Sequence, residues 1–124
     1  MVRVLIADDS HDMVLALMAL LRTDGYETRG VYDGREALQL MEDFEPDAVI
    51  LDTAMPGMNQ GDVARTFRHK GKGSRPMLIA VSSEHGKGAD KIIGETTGFD
   101  YFLSMPLDAN VLLNLLAPLK AARL

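Results

Sequence analysis

Polar and acidic side chains stand where short apolar runs end. Val2–Ala7 (VRVLIA) runs directly into Asp8-Asp9, and Ala48–Leu51 (AVIL) runs into Asp52. Met77–Val81 (MLIAV) meets Ser82-Ser83, and Phe99–Leu103 meets Ser104-Met105-Pro106. If the strands ending at Asp8 and Asp52 are neighbours, three carboxylates converge at one edge. Clustered anions repel and raise one another's pKa. A hard divalent cation relieves that repulsion, and a few carboxylates plus water suit Mg²⁺. A carboxylate beside Mg²⁺ can act as nucleophile on a phosphoryl group, giving an acyl phosphate. A hydroxyl at Ser82 can then hydrogen-bond a phosphoryl oxygen. One such Asp alone reads equally well as a turn or cap residue; three at two strand ends favour a site.

The elements that must position these residues alternate along the chain. Val2–Ala7 is apolar and β-branched. Ser10 is a candidate N-cap, followed by Val14, Leu17, Met18, Leu20 and Leu21 at helical spacing, with Gly25 as the stop. Glu27–Tyr32 predicts a second strand. Asp33 and Glu36 have capping-box spacing and open a helix carrying Ala37, Leu38, Leu40 and Met41, which ends before Pro46. Ala48–Leu51 is a continuous apolar run, the mark of a strand buried on both faces. Pro56-Gly57 predicts a turn, and a third helix runs through Val63, Ala64 and Phe67 to near Gly71. Met77–Val81 is the fourth strand, Ala89–Glu95 a polar helix stopped near Gly98, and Phe99–Leu103 the fifth strand. Asp108 caps a last helix bearing Val111, Leu112, Leu115, Leu116 and Leu119. Five βα units with buried strands imply a doubly wound parallel sheet with helices on both faces. Ligands of such folds sit at the carboxyl ends of the strands, near the topological switch point.

Length and composition agree with one globular domain over residues 1–124. Hydrophobic residues make up 47% and charged residues 25%, so wholesale disorder is excluded. There is no cysteine, which removes disulfides, thiolate zinc sites and cysteine nucleophiles. No apolar run reaches the roughly 18 residues of a membrane span. Val2–Ala7 meets acids too soon for a signal peptide, so a cytoplasmic location is expected. Residues 1–62 hold 13 acidic and 4 basic side chains, and residues 63–124 hold 5 acidic and 9 basic ones. The net charge of −5 argues against direct nucleic-acid binding.

In their order and spacing these pieces resemble the receiver domain of two-component response regulators, across essentially the whole chain. The matching segments are Val4-Leu5-Ile6-Ala7-Asp8-Asp9-Ser10, Tyr32-Asp33-Gly34-Arg35-Glu36-Ala37-Leu38 and Pro46-Asp47-Ala48-Val49-Ile50-Leu51-Asp52. They continue with Met55-Pro56-Gly57-Met58, Leu78-Ile79-Ala80-Val81-Ser82, and Gly98-Phe99-Asp100 leading to Pro106-Leu107-Asp108. The likeness is nearest to receivers attached to, or working with, hybrid histidine kinases. It implies a flavodoxin-like five-stranded sheet in order 2-1-3-4-5 with five flanking helices. It implies Asp52 as phosphoacceptor, Asp9 and Asp52 as direct Mg²⁺ ligands, Asp8 acting through water, and the Ala54 carbonyl as a further ligand. Ser82 takes the place of the switch hydroxyl and Phe102 that of the switch aromatic. The implied phosphodonor is a phosphohistidine on a sensor histidine kinase or phosphotransfer protein. The implied catalysis is confined to the domain's own phosphoryl transfer and dephosphorylation.

The sequence departs from that family at one telling place. Receivers carry lysine directly before the proline that follows strand five, and this chain has Met105. The family's lysine is a positive point charge on the phosphoryl oxygens. Losing a hydrogen bond to a charged group costs about 1.5–3 kcal/mol. The expectation is that acceptance of a phosphoryl group survives while switching weakens. The alternative is a pseudo-receiver that binds a partner whatever its phosphorylation state. Gln60, where the family usually has glycine, is expected only to reshape the entrance to the third helix. A flavodoxin-like cofactor protein is disfavoured, because no strand end carries a phosphate-cradling loop rich in Ser, Thr and Gly.

Other signals carry little. In Gly71-Lys72-Gly73-Ser74 a phosphate loop would need Ser or Thr directly after the lysine and a glycine five residues before Gly71, and Gly73 and Thr66 occupy those places. His11, His69 and His85 have no paired ligand spacing and read as surface residues, and the methionines, Met1 aside, read as core fillers. Arg65, Arg68, Lys70, Lys72 and Arg75 read as a solvated helix end, with a docking patch for an acidic partner as the minority reading. These residues include no DNA-binding or catalytic module, so a downstream protein target is the expected output unless they are a fragment of a larger chain, with a monomer or weak homodimer as the assembly.

Overall fold

The computed structural model describes residues 1–53, 55, 65, 66, 76–82 and 98–122. Five strands form one parallel sheet: β1 (Arg3–Ala7), β2 (Glu27–Val31), β3 (Ala48–Asp52), β4 (Met77–Ser82) and β5 (Tyr101–Ser104), in the order β2-β1-β3-β4-β5. Among the described residues, the helices with both ends in view are α1 (His11–Thr23), α2 (Gly34–Asp43) and a C-terminal helix (Ala109–Ala122). The expected sheet order and doubly wound class are therefore observed. Arg65 and Thr66 of the expected third helix are helical, while the expected fourth helix and the Pro56-Gly57 turn lie outside the described residues.

Side-chain alternation explains the two layers. Leu5, Ala7, Val49, Leu51, Leu78 and Ala80 face one side, where Ala37, Met41 and Phe44 from α2 and its end cover them. Val4, Ile6, Ala48, Ile50, Ile79 and Val81 face the other, beneath Val14, Leu17 and Leu21 of α1 and Leu112 and Leu116 of the C-terminal helix. Successive residues of a strand point to opposite faces, so continuous apolar strands need helices on both sides.

Local signals act mostly where the sequence puts them. The Ser10 hydroxyl accepts from the Met13 amide at 3.3 Å, and the Asp33 carboxylate accepts from the Glu36 amide at 2.8 Å. The second half of the capping box differs: Glu36 accepts from the Tyr32 amide, one residue before the cap. Gly25 has φ 93°, a left-handed conformation open to glycine at no steric cost. Asp108 opens the last helix by accepting from the Asn110 amide at 2.8 Å. That helix buries a narrower stripe than expected. Leu112 and Leu116 are fully buried and Leu119 packs at the rim, but Leu115 is only half-buried and Val111 is exposed. Residues 112 and 116 are one turn apart, and a helix lying on a sheet buries only the line that touches it. Strand ends also shift: β1 begins at Arg3, β2 ends at Val31, β5 starts at Tyr101, and β3 and β4 each extend one residue to include Asp52 and Ser82.

Candidate metal and phosphoryl site at the strand ends

The register assembles the site. Ala7 pairs with Leu51, so Asp8 follows the end of β1 beside Asp52 at the end of β3. Asp52 in turn pairs with Val81, and Ser82 with Ser104. Carboxylate oxygens of Asp8, Asp9 and Asp52 all lie within 4.8 Å of one another. Described residues lining the cavity over them are Asp8, Asp9, Ser10, Met13, Asp52, Val81 and Met105. The cavity measures about 210 Å³, room for several waters at about 30 Å³ each.

Backbone hydrogen bonds hold the rim. The Ser10 amide donates to Asp8 Oδ1 at 2.8 Å, which couples the first acid to the start of α1. The Asp8 amide donates to the Val31 carbonyl at 3.1 Å. Thr53 bridges to β4, its amide donating to the Val81 carbonyl at 3.0 Å and its hydroxyl to the same oxygen at 3.3 Å. The Met105 amide donates to the Ser82 carbonyl at 3.0 Å, and the Met105–Pro106 peptide is cis.

Electrostatically the acids are crowded. The Asp8 carboxyl is pushed above the ordinary carboxylate range, first by burial and then by the neighbouring Asp9 charge, against the opposing Ser10 amide. Three hard carboxylate donors that share one small cavity match the coordination chemistry of Mg²⁺. Oxygens so placed can also present one carboxylate as a nucleophile while the others hold a counter-ion.

Not every singled-out residue lines this cavity. Asp8, Asp9, Asp52 and Met105 are brought together. Ser82 is buried, at 6% exposure, on the last position of β4, and its carbonyl accepts from the Met105 amide. Phe102 is half-buried and packs on the α2-side core. Ala54 lies outside the described residues. Met13 and Val81 are walls that sequence reading missed. Met13 is the residue whose amide Ser10 caps, so the cap itself marked the turn facing the strand ends. His11 is exposed, as expected, but stacks on Tyr32 with ring centroids 3.9 Å apart.

Comparison with known proteins extends this geometry. Residues 4–117 match the family described as the response regulator receiver domain. The chain is 33% identical over 104 residues to the DNA-binding response regulator MtrA of Mycobacterium tuberculosis strain H37Rv and of Mycolicibacterium paratuberculosis. These matches cover 84% of this chain and 44% of each relative, so the chain spans less than half the length of the relatives it matches. Among solved structures it is similar to the chemotaxis response regulator CheY4 of Vibrio cholerae. The TM-score is 0.81 at 28% identity, covering 95% of this chain and 98% of that one. The receiver domain of Francisella response regulator 1452 shares the fold, with a TM-score of 0.84 at 20% identity over 100% of both chains.

Proposed function

The chain belongs to the response regulator receiver family, and on that premise we propose that it accepts a phosphoryl group from a phosphohistidine onto Asp52. The observation that carries the reading is the convergence of Asp8, Asp9 and Asp52 within 4.8 Å at the carboxyl ends of β1 and β3. Asp9, Asp52 and the Ala54 carbonyl would hold Mg²⁺, with Asp8 acting through water. Bound Mg²⁺ supplies charge neutralisation for the carboxylates and for the transferring phosphoryl oxygens. An Asp52 oxygen forms the new bond to phosphorus as the bond to the donor imidazole breaks. Ser82, one strand over at the end of β4, offers its hydroxyl to a phosphoryl oxygen. Phe102 is the aromatic that responds, since it sits in the strand whose end is tied to Ser82 through the Met105 amide. The donor is a sensor histidine kinase or phosphotransfer protein, and the output is a protein target.

Met105 on the cavity wall favours a second reading as well. Without an ammonium there, the family's charge link between the phosphoryl group and the loop after β5 is missing. In that reading the domain is a pseudo-receiver whose surface binds a partner regardless of phosphorylation.

One experiment separates the two. The protein is treated with a small-molecule acyl phosphate and Mg²⁺, and its intact mass is measured. A single phosphoryl adduct, labile to hydroxylamine and absent in Asp52→Asn, supports the phosphoacceptor. No adduct in the wild-type protein supports the pseudo-receiver, and an adduct that persists in Asp52→Asn refutes the assignment of Asp52.

A further inference from the structure

We infer that Met105 leaves a free divalent cation, rather than a tethered ammonium, as the counter-charge of the acidic cavity, so that this chain binds Mg²⁺ about tenfold more tightly than its own Met105→Lys form. The inference rests on the proposed Mg²⁺ site and concerns how this chain, in particular, regulates occupancy of that site.

The geometry gives the reason. Among the described residues that line the cavity, Asp8, Asp9 and Asp52 are acidic, Met13, Val81 and Met105 are apolar, and none is basic. The Met105 amide is anchored on the Ser82 carbonyl, which fixes where any side chain at 105 departs. An unbranched chain of lysine length at that position brings its head toward the same oxygens that would hold the cation. A +2 ion and a +1 ammonium about 6 Å apart repel enough, even with the dielectric constant of water, to change affinity by about tenfold. A methionine thioether carries no charge and imposes no such competition.

Linkage makes the effect reciprocal. Whatever factor the lysine removes from Mg²⁺ affinity, Mg²⁺ removes from the lysine's attraction to the acids. In chelator, the Met105→Lys protein therefore melts above the wild type, because its ammonium offsets the crowded carboxylates. Saturating Mg²⁺ closes or reverses that gap. The wild-type cavity thus takes its charge balance from cations in solution.

Calorimetric Mg²⁺ titration at low ionic strength tests this on the wild type, Met105→Lys, Met105→Gln and Asp9→Ala. The expected result is equal affinity for wild type and Met105→Gln, and about tenfold weaker binding for Met105→Lys. That difference should shrink at high salt, where exposed charges are screened. Met105→Arg carries the same charge and supplies the same test if the lysine variant does not fold. Equal affinity in the wild type and a folded lysine or arginine variant overturns the inference and leaves the proposed site standing. Weakening by Met105→Gln as large as by Met105→Lys also overturns it, since the effect would not be one of charge. A wild type that shows no Mg²⁺ binding, or binding unchanged by Asp9→Ala, overturns the proposed site and this inference together.

Discussion

Replacing Asp8 with Asn should stabilise the divalent-free protein and destabilise its response to Mg²⁺. In the folded state Asp8 is half-buried, and its carboxylate shares a radius of 4.8 Å with those of Asp9 and Asp52. Two like charges at that separation repel by about 0.9 kcal/mol at the dielectric constant of water, and by more where the cavity excludes water. Asn keeps an oxygen to accept the Ser10 amide, so the bond that opens α1 is retained. The net expectation in chelator at neutral pH is a gain of about 1–2 kcal/mol, or several degrees in Tm. The pH dependence has a definite sign. The folded carboxyl of Asp8 titrates above its ordinary value of 3.8, because burial and Asp9 oppose its charge. Protonation is therefore more favourable in the folded state, and stability is lost as pH rises through the interval between the ordinary and the raised values. The advantage of Asp8→Asn should be fully developed above that interval and vanish below it. Adding Mg²⁺ should raise the wild-type Tm by mass action and raise that of the variant less. Denaturation curves with chelator and with Mg²⁺, each across acid to neutral pH, measure all three effects. A variant that is less stable than wild type in chelator at neutral pH would refute the argument from crowded charge.

Gly30→Ala should cost about 1–3 kcal/mol, as overpacked sites do. A Cβ at Gly30 would overlap Val14 Cγ1 and stand 2.8 Å from Met18 Sδ, so those side chains or the spacing of β2 and α1 must give. A urea midpoint unchanged from wild type would show that α1 yields at no cost. Coupling through Met105 should also be weak. A phosphoryl mimic with Mg²⁺ should shift the amide resonances of Phe102 and its neighbours little in the wild type and more in Met105→Lys. A response of the same full size in both would mean that the chain switches by another route.

Much of this protein was legible in its residues. The helices announced themselves through Ser10, Asp33 and Asp108, because an N-cap is a local hydrogen bond between residues two or three apart. The parallel sheet followed from runs such as Val49–Leu51, which are too apolar for a strand with a wet face. The acids stood out because they follow those runs directly, and the resemblance to receivers supplied the strand order. Element ends were less legible: Asp52 and Ser82 belong to their strands because partners at Val81 and Ser104 extend the ladder. A hydrogen-bond partner in a parallel strand is tens of residues away and leaves no local trace.

Tertiary structure alone decided what surrounds the acids. Nothing in the spacing of Met13, Val81 and Met105 places these three apolar residues around one cavity; strand register and the docking of α1 do so. It also separated Ser82 and Phe102 from the cavity walls, since alternation turns successive strand residues to opposite faces. It narrowed the last helix's buried stripe to Leu112 and Leu116, because the width of contact depends on how the helix lies on the sheet and not on how many leucines it carries. Residue types and short-range periodicity set the elements and put acidic residues at their ends. Which of those groups meet was set by long-range pairing, whose partners only the folded chain brings together.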